Sequence, residues 1–251
     1  MTTYVFDGTK KGLFTCIFES YYKKEIPTRI TDEDCQTSFT DNTVIIKTDD
    51  EKADRVYKCI KGCKTKYIVS DISVAMKSGD KNKFDVIFAY IKKVIDNKKS
   101  DISAAYSLPE VLAFNDLKAR IYTEFHRFKG FLRFMETNEG YFYAVFTPDN
   151  DIAEMLVPHF KSRFKSPFVI HDLKRNRITL CNGYEYKSID GKISGTTVYL
   201  SDNERDFQDL WRSYYKSVNI PERKNTRTMC AFMPERYWNN LPEKQENICD
   251  F

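Results

Sequence analysis

The order of apolar and polar positions begins with a short strand, Tyr4-Val5-Phe6, after which Asp7-Gly8 turns the chain into a helix. That helix carries Leu13, Phe14, Ile17, Phe18 and Tyr21 at helical spacing. The polar stretch 28–42 reads as a loop and 43–47 as a strand. Ala53, Val56, Tyr57 and Ile60 then define a second helix, opened by the acidic run Asp49 to Glu51, which suits a helix amino end. Phe84, Ile87, Phe88, Ile91 and Val94 line a third helix, and Phe114, Leu117, Ile121, Phe125 and Phe128 a long fourth that starts near Pro109. Residues 97–103 between them form the linker candidate.

From Gly130 the period changes from helical to alternating, which predicts strands at 131–136 and 141–147 joined by Asn138-Glu139-Gly140. A helix at 151–164 follows, then strands at 168–173, 177–181 and 184–188, punctuated by Asn176 and Asn182-Gly183. The stretch 206–218 is amphipathic through Phe207, Leu210, Trp211, Tyr214, Tyr215 and Val218. A tail rich in Met233, Tyr237 and Trp238 closes the chain and is too apolar to hang free. The pattern predicts an α+β fold, a helical N-terminal part followed by a mainly antiparallel sheet with packed helices. It divides into 1–104, mostly helical with one or two short strands, and 105–251, an α+β part with the sheet, a C-terminal helix and the tail.

Composition narrows the class. Of 251 residues, 41% are hydrophobic, 15% aromatic and 30% charged, with 9 Gly and 8 Pro, which fits a folded protein and excludes collagen-like and low-complexity chains. The longest apolar runs, 86–91 and 141–146, fall far short of the ~20 residues of a membrane helix. The first 25 residues lack a secretory pattern, so a cytoplasmic address and no membrane partner are expected. Seven scattered cysteines then imply reduced thiols rather than a disulfide framework.

The net charge of +4 identifies no partner by itself, but its distribution is uneven. Residues 1–100 hold 17 Lys and 2 Arg, whereas 118–236 hold 9 Lys and 11 Arg, and Arg suits bidentate contact with phosphate or carboxylate. In the segment His126-Arg127-Phe128-Lys129-Gly130-Phe131-Leu132-Arg133-Phe134 cations and rings interleave as a helix passes into a strand. Such a mixture grips phosphates and offers ring faces to bases; alternatively the rings are core and the cations a solvated face. A second basic run holds Lys161, Arg163, Lys165, Lys174, Arg175 and Arg177, and a third Arg212, Lys216, Arg223, Lys224 and Arg227 beside Trp211, Tyr214 and Tyr215. The nucleic-acid-binding candidates are Arg127, Lys129, Arg133, Arg163, Arg175, Arg177, Trp211, Tyr214, Arg223 and Arg227. With Lys129, Arg133 and the cations of 161–177 on neighbouring strands, these would form one groove.

Common enzyme signatures are missing: no phosphate-loop glycines, no paired-His zinc helix, no Gly-x-Ser-x-Gly elbow and no dinucleotide fingerprint. Cys59 and Cys63 lie one helical turn apart but have no second ligand pair nearby, so neither a metal nor a cofactor is predicted. His126 is the one catalytic candidate, as general acid or base, with core-edge donor and phosphate ligand as its other readings.

Taken together, Tyr4-x-Phe6-Asp7-Gly8, Gly12-Leu13-Phe14-Thr15-x-Ile17-Phe18-Glu19, His126 to Phe134, Pro158-His159-Phe160, Leu210-Trp211-x-x-Tyr214-Tyr215 and Phe232-Met233-Pro234-x-Arg236-Tyr237-Trp238-x-x-Leu241 resemble a bacterial family of DNA-metabolism or DNA-repair proteins of undefined activity. The resemblance spans nearly the whole chain. It implies a standalone partner of a DNA-repair radical SAM protein, related to a domain fused ahead of uracil-DNA glycosylase-like domains. It also points to Asp7, Glu19, His159, Arg236, Tyr237 and Trp238 without assigning roles, and Cys59 and Cys63 depart from the pattern. The chain has neither a three-cysteine cluster motif nor a glycosylase motif, so those chemistries fall to partners. The expectation is a DNA-binding accessory to a repair enzyme, more non-enzymatic than enzymatic. The alternatives are an unfamiliar enzyme acting on a base or the DNA backbone through His126, and a protein-protein adaptor.

Overall fold

A computed structural model of the chain describes residues 2–32, 42–191 and 198–244. The chain forms two compact units, Met1–Tyr122 and Thr123–Phe251, whose boundary falls inside a long helix; the sequence reading divides it at 104/105.

The first unit is built on three parallel strands, β1 (Thr2–Phe6), β2 (Arg29–Asp32) and β3 (Asn42–Ile45), in the order β2-β1-β3. Val5 of the central strand pairs with Thr31 on one side and Ile45 on the other. Parallel neighbours need a crossover, and α1 (Lys10–Tyr22) supplies the one from β1 to β2. Thr9 caps α1 by accepting from the Gly12 amide, and Asp49 caps α2 (Asp50–Lys61) by accepting from the Lys52 amide. Two more helices follow, α3 (Ile68–Ala75) and α4 (Lys83–Asp96), before α5 (Pro109–Phe131) begins.

The core of this unit joins Tyr4 and Phe6 to Leu13, Ile17, Ile60, Ile72, Ile87, Ile91 and Phe114. Tyr90 and Phe114 stack with ring centres 3.8 Å apart. Two expectations are corrected here. Part of the loop expected at 28–42 is strand β2, where Ile30 is the only aliphatic residue, so no period betrays it; residues 33–41 lie outside the described residues. Among the described residues the unit therefore has three strands, all parallel, not one or two.

The second unit carries a five-stranded mixed sheet, β4 (Met135–Glu136), β5 (Phe142–Phe146), β6 (Phe168–Asp172), β7 (Arg177–Cys181) and β8 (Tyr186–Asp190), in chain order. Its β5–β6 pair is parallel because α6 (Ala153–Lys161) crosses between them, and the other pairs are antiparallel. The fold is thus α+β, but the mainly antiparallel sheet holds only for part of this unit. The helix-to-strand transition expected at Gly130 is also corrected: α5 continues to Phe131, and the hairpin strand starts only at Met135. Gly130 is the last residue but one of α5, where its helix penalty of about 1 kcal/mol is too small to end the helix.

Phe134, Phe160, Phe164 and Phe168 form a ring cluster under the sheet, and Phe128 meets Phe146 and Tyr237. After the sheet come α7 (Glu204–Val218), α8 (Thr226–Phe232) and a tail of short 3₁₀ turns. The tail packs inward, with Tyr237 and Leu241 buried, whereas Phe232 stays exposed. Among the described residues no helix is long and apolar enough to cross a membrane.

Candidate functional site

At the carboxyl end of β1 the Asp7 carboxylate accepts the Thr9 amide at 2.9 Å, the Thr9 hydroxyl at 2.7 Å and the Thr48 hydroxyl at 2.6 Å. Burial works against the charge, but the bonds from Thr48 and Thr9 outweigh it and hold the carboxyl below its ordinary range. Gly12 makes this cradle possible, since a Cβ there would lie 2.2 Å from Asp7 Oδ1 and 2.7 Å from the Phe6 ring. Glu19, the other acid of the opening motif, meets Lys52 at 2.7 Å and ties α1 to α2. Both acids are therefore engaged in joining local elements.

In the second unit the sequence missed its most connected carboxylate. Glu124 of α5 is buried and accepts the Asp149 amide, the Asn150 amide, the Asn150 side chain and the Tyr237 hydroxyl. The signal was present: the buried spine of α5 runs Phe114, Leu117, Ile121, Glu124, Phe128, so an acid stands at a core position. Phe125, expected in that spine, is half-buried beneath Lys129, whose ammonium lies 4.6 Å from its ring centre.

Around Glu124 several predicted DNA contacts prove to be ion-paired. Arg175 donates to fully buried Asp172 at 2.8 Å and to the Pro148 and Asp149 carbonyls. Arg177 bridges Asp151 and Asp190, and Arg236 meets Asp149 at 3.0 Å while donating to the Tyr237 hydroxyl. These guanidiniums gather at the amino end of α6, each facing a carboxylate.

At the opposite end of α6, about 13 Å away by helix rise, the arrangement differs. There Lys129, His159 and Arg163 come together. Burial, then the charges of Lys129 and Arg163, push the His159 imidazole below its ordinary value. Neither Lys129 nor Arg163 forms an ion pair among the described residues. Such a cluster suits an anion, and cations at a helix carboxyl end also suit the helix dipole. His126 is exposed on α5 with no side-chain hydrogen bond among the described residues, and Arg127 donates to the Ala231 carbonyl at 3.0 Å. The rings of this motif turn inward, Phe128 and Leu132 being buried.

Arg133 is built into the tail: it donates to Glu243 at 2.8 Å and lies 5.2 Å from the Trp211 ring centre, while Trp211 donates its indole N–H to the same carboxylate. Burial opposes the Glu243 charge, yet the Arg133 bond holds its carboxyl low. Trp238 donates to the Met233 carbonyl. Tyr214, Arg223 and Arg227 are exposed, and neither arginine has an ion-pair partner among the described residues. Three places therefore gather most of the candidates: Lys129, His159 and Arg163; Arg175, Arg177 and Arg236; and Arg133 with Trp211 and Tyr214.

A buried pair was also missed. Tyr143 of β5 and His171 of β6 share a 2.7 Å hydrogen bond on one sheet face; burial pushes the tyrosine up to about 12 and the imidazole down. Sequence could flag His171 inside a strand, but its partner depends on which strand lies beside it. Cys63 donates to the Cys59 carbonyl, and all five described cysteines are free thiols. Cys35 and Cys249 lie outside the described residues.

No curated protein and no solved structure matches the chain. Residues 81–243, well over half of the 251, match the model of a domain of unknown function, DUF4130, and the chain belongs to that family.

Proposed function

We propose that the protein is a cytoplasmic nucleic-acid-binding accessory in DNA metabolism or repair, presenting DNA to a partner enzyme of the radical SAM or glycosylase-like kind. The observation that carries this reading is the corner at the carboxyl end of α6, where Lys129 and Arg163 crowd His159 and neither cation is paired to a carboxylate among the described residues. A phosphate would pair with these cations, and Arg223 and Arg227, which have no ion pair among the described residues, add to the same electrostatic footprint. The motif resemblance supplies the DNA context and the partner class. Arg133, Arg175 and Arg177, each already facing an acid, take structural roles in this reading.

The test is a titration of the protein with single- and double-stranded DNA at several salt concentrations, with and without a radical SAM partner. Two to four phosphate contacts give a log-log salt slope of about −2 to −4 on duplex DNA. Changing Lys129 and Arg163 together to Ala should flatten that slope by about one to two units and leave the melting midpoint nearly unchanged. A slope that does not respond to this pair overturns the proposed contact, and salt-insensitive binding overturns the DNA reading. His126→Gln should leave affinity intact, and turnover of a DNA substrate lost in that variant would favour the enzyme reading instead.

A further inference from the structure

Helix α7 packs with the wrong side for an ordinary amphipathic helix. Its attachments run along one flank: Glu204 accepts the Glu136 amide, Arg212 donates to the Pro242 carbonyl, Tyr215 accepts from Lys244, and Trp211, at the edge between this flank and the apolar stripe, donates its indole N–H to Glu243. Glu204 is the helix's only buried residue. The apolar stripe points outward, with Phe207 60%, Leu210 66%, Tyr214 55% and Val218 54% exposed, and Trp211 38%. At roughly 100 Å² each, these side chains offer on the order of 500 Å² of apolar surface, at the upper end of what a monomer carries in one patch.

The spacing says what fits it. Phe207, Trp211, Tyr214 and Val218 are separated by four, three and four residues, the seam of a two-stranded coiled coil with Leu210 beside it. That seam is symmetric about its midpoint. A second copy running antiparallel therefore sets Phe207 against Val218 at each end of the pair and Trp211 against Tyr214 on either side of its centre. The charges favour the same direction. The first half of α7 holds Glu204, Asp206 and Asp209 against one Arg205, whereas the second half holds Arg212 and Lys216 and leads to Arg223, Lys224 and Arg227. Antiparallel copies align acidic with basic ends and oppose the helix dipoles favourably; parallel copies do the reverse.

We infer that the exposed face of α7 is a homodimer seam, occupied by α7 of a second copy in antiparallel register. Burying the stripe on both copies removes about 1,000 Å² of apolar surface, the scale at which a specific interface begins. Tyr214, and the part of Trp211 left open by its contacts with Arg133 and Glu243, then serve the seam rather than stacking on bases. The inference does not depend on the DNA reading.

Sedimentation velocity on the full chain tests it. The wild type should sediment at twice the chain mass at tens of micromolar. Phe207→Lys and Val218→Glu, each alone, should raise the dimer dissociation constant at least about tenfold. The double variant should restore the dimer, because the lysine introduced on one copy then faces the glutamate introduced on the other; the two positions are about 16 Å apart within one helix and cannot pair internally. Unchanged circular dichroism of the single variants, whose sites are solvent-facing, separates lost association from lost folding. A wild type that stays monomeric to about 100 μM overturns the inference. So does a double variant no better than the singles, or single variants that lose binding to anionic phospholipid vesicles with no change in mass, which would assign the stripe to a membrane surface.

Discussion

Gly12 and His171 show how much single positions decide in this molecule. A Cβ at Gly12 would strike the Asp7 carboxylate, the Phe6 ring and the Thr48 hydroxyl. Gly12→Ala should therefore cost about 1–3 kcal/mol and lower the melting midpoint by several degrees, although alanine is the better helix former. His171 and His159 both carry lowered imidazole values, burial being the first cause in each. A lowered histidine stabilises the folded state fully above its unfolded value, ~6.5, and loses that contribution as pH falls below it. Urea titrations at pH 7.5 and 5.5 should give lower stability at 5.5, and His171→Gln should shrink the difference. Acids held low, Asp7 and Glu243, withdraw their contribution only at still lower pH, as each is protonated. If phosphate binds beside His159 it favours the imidazolium, so DNA affinity should rise on acidification in the wild type and not in His159→Gln.

Among the elements, α5 separates what periodicity reveals from what it hides. Its existence and its start at Pro109 follow from spacing, but the spacing set Phe125 in the spine where Glu124 stands. Four donors converge on Glu124, so Glu124→Ala leaves several polar groups buried without an acceptor and should cost more than 2 kcal/mol. Phe125→Ala, at a half-buried site, should cost less; equal losses in chemical denaturation would contradict this ordering. The α6 crossover was legible as a helix, yet the parallel pairing of β5 and β6 that it imposes was not, because alternation along a strand is the same for either neighbour. Strand β2 escaped for a simpler reason: four residues with one aliphatic side chain carry no period, and Ile30 is held by β1 and by Asp85, which accepts its amide at 2.6 Å.

Across the whole molecule the charge separates into paired and unpaired cations. Arg133, Arg175, Arg177, Arg212 and Arg236 each face a carboxylate, whereas Lys129, Arg163, Arg223 and Arg227 have no ion pair among the described residues. Arg175→Ala should cost about 3 kcal/mol, since it strands fully buried Asp172, while the combined Arg163, Arg223 and Arg227 to Ala variant should leave the melting midpoint within a degree or two. Residue type and near neighbours mark α1, α2, α4, α5, α6 and α7, the acidic start of α2 at Asp49, the 168–172 and 177–181 strands, the inward return of Tyr237 and the basic character of the second half, but α3, α8 and the Thr9 cap went unread. Only the tertiary structure decided which cations are neutralised and which way the α7 stripe faces. Arg133 finds its acid 110 residues later, and Glu124 finds Tyr237 across 113, so neither partnership leaves a mark on local spacing.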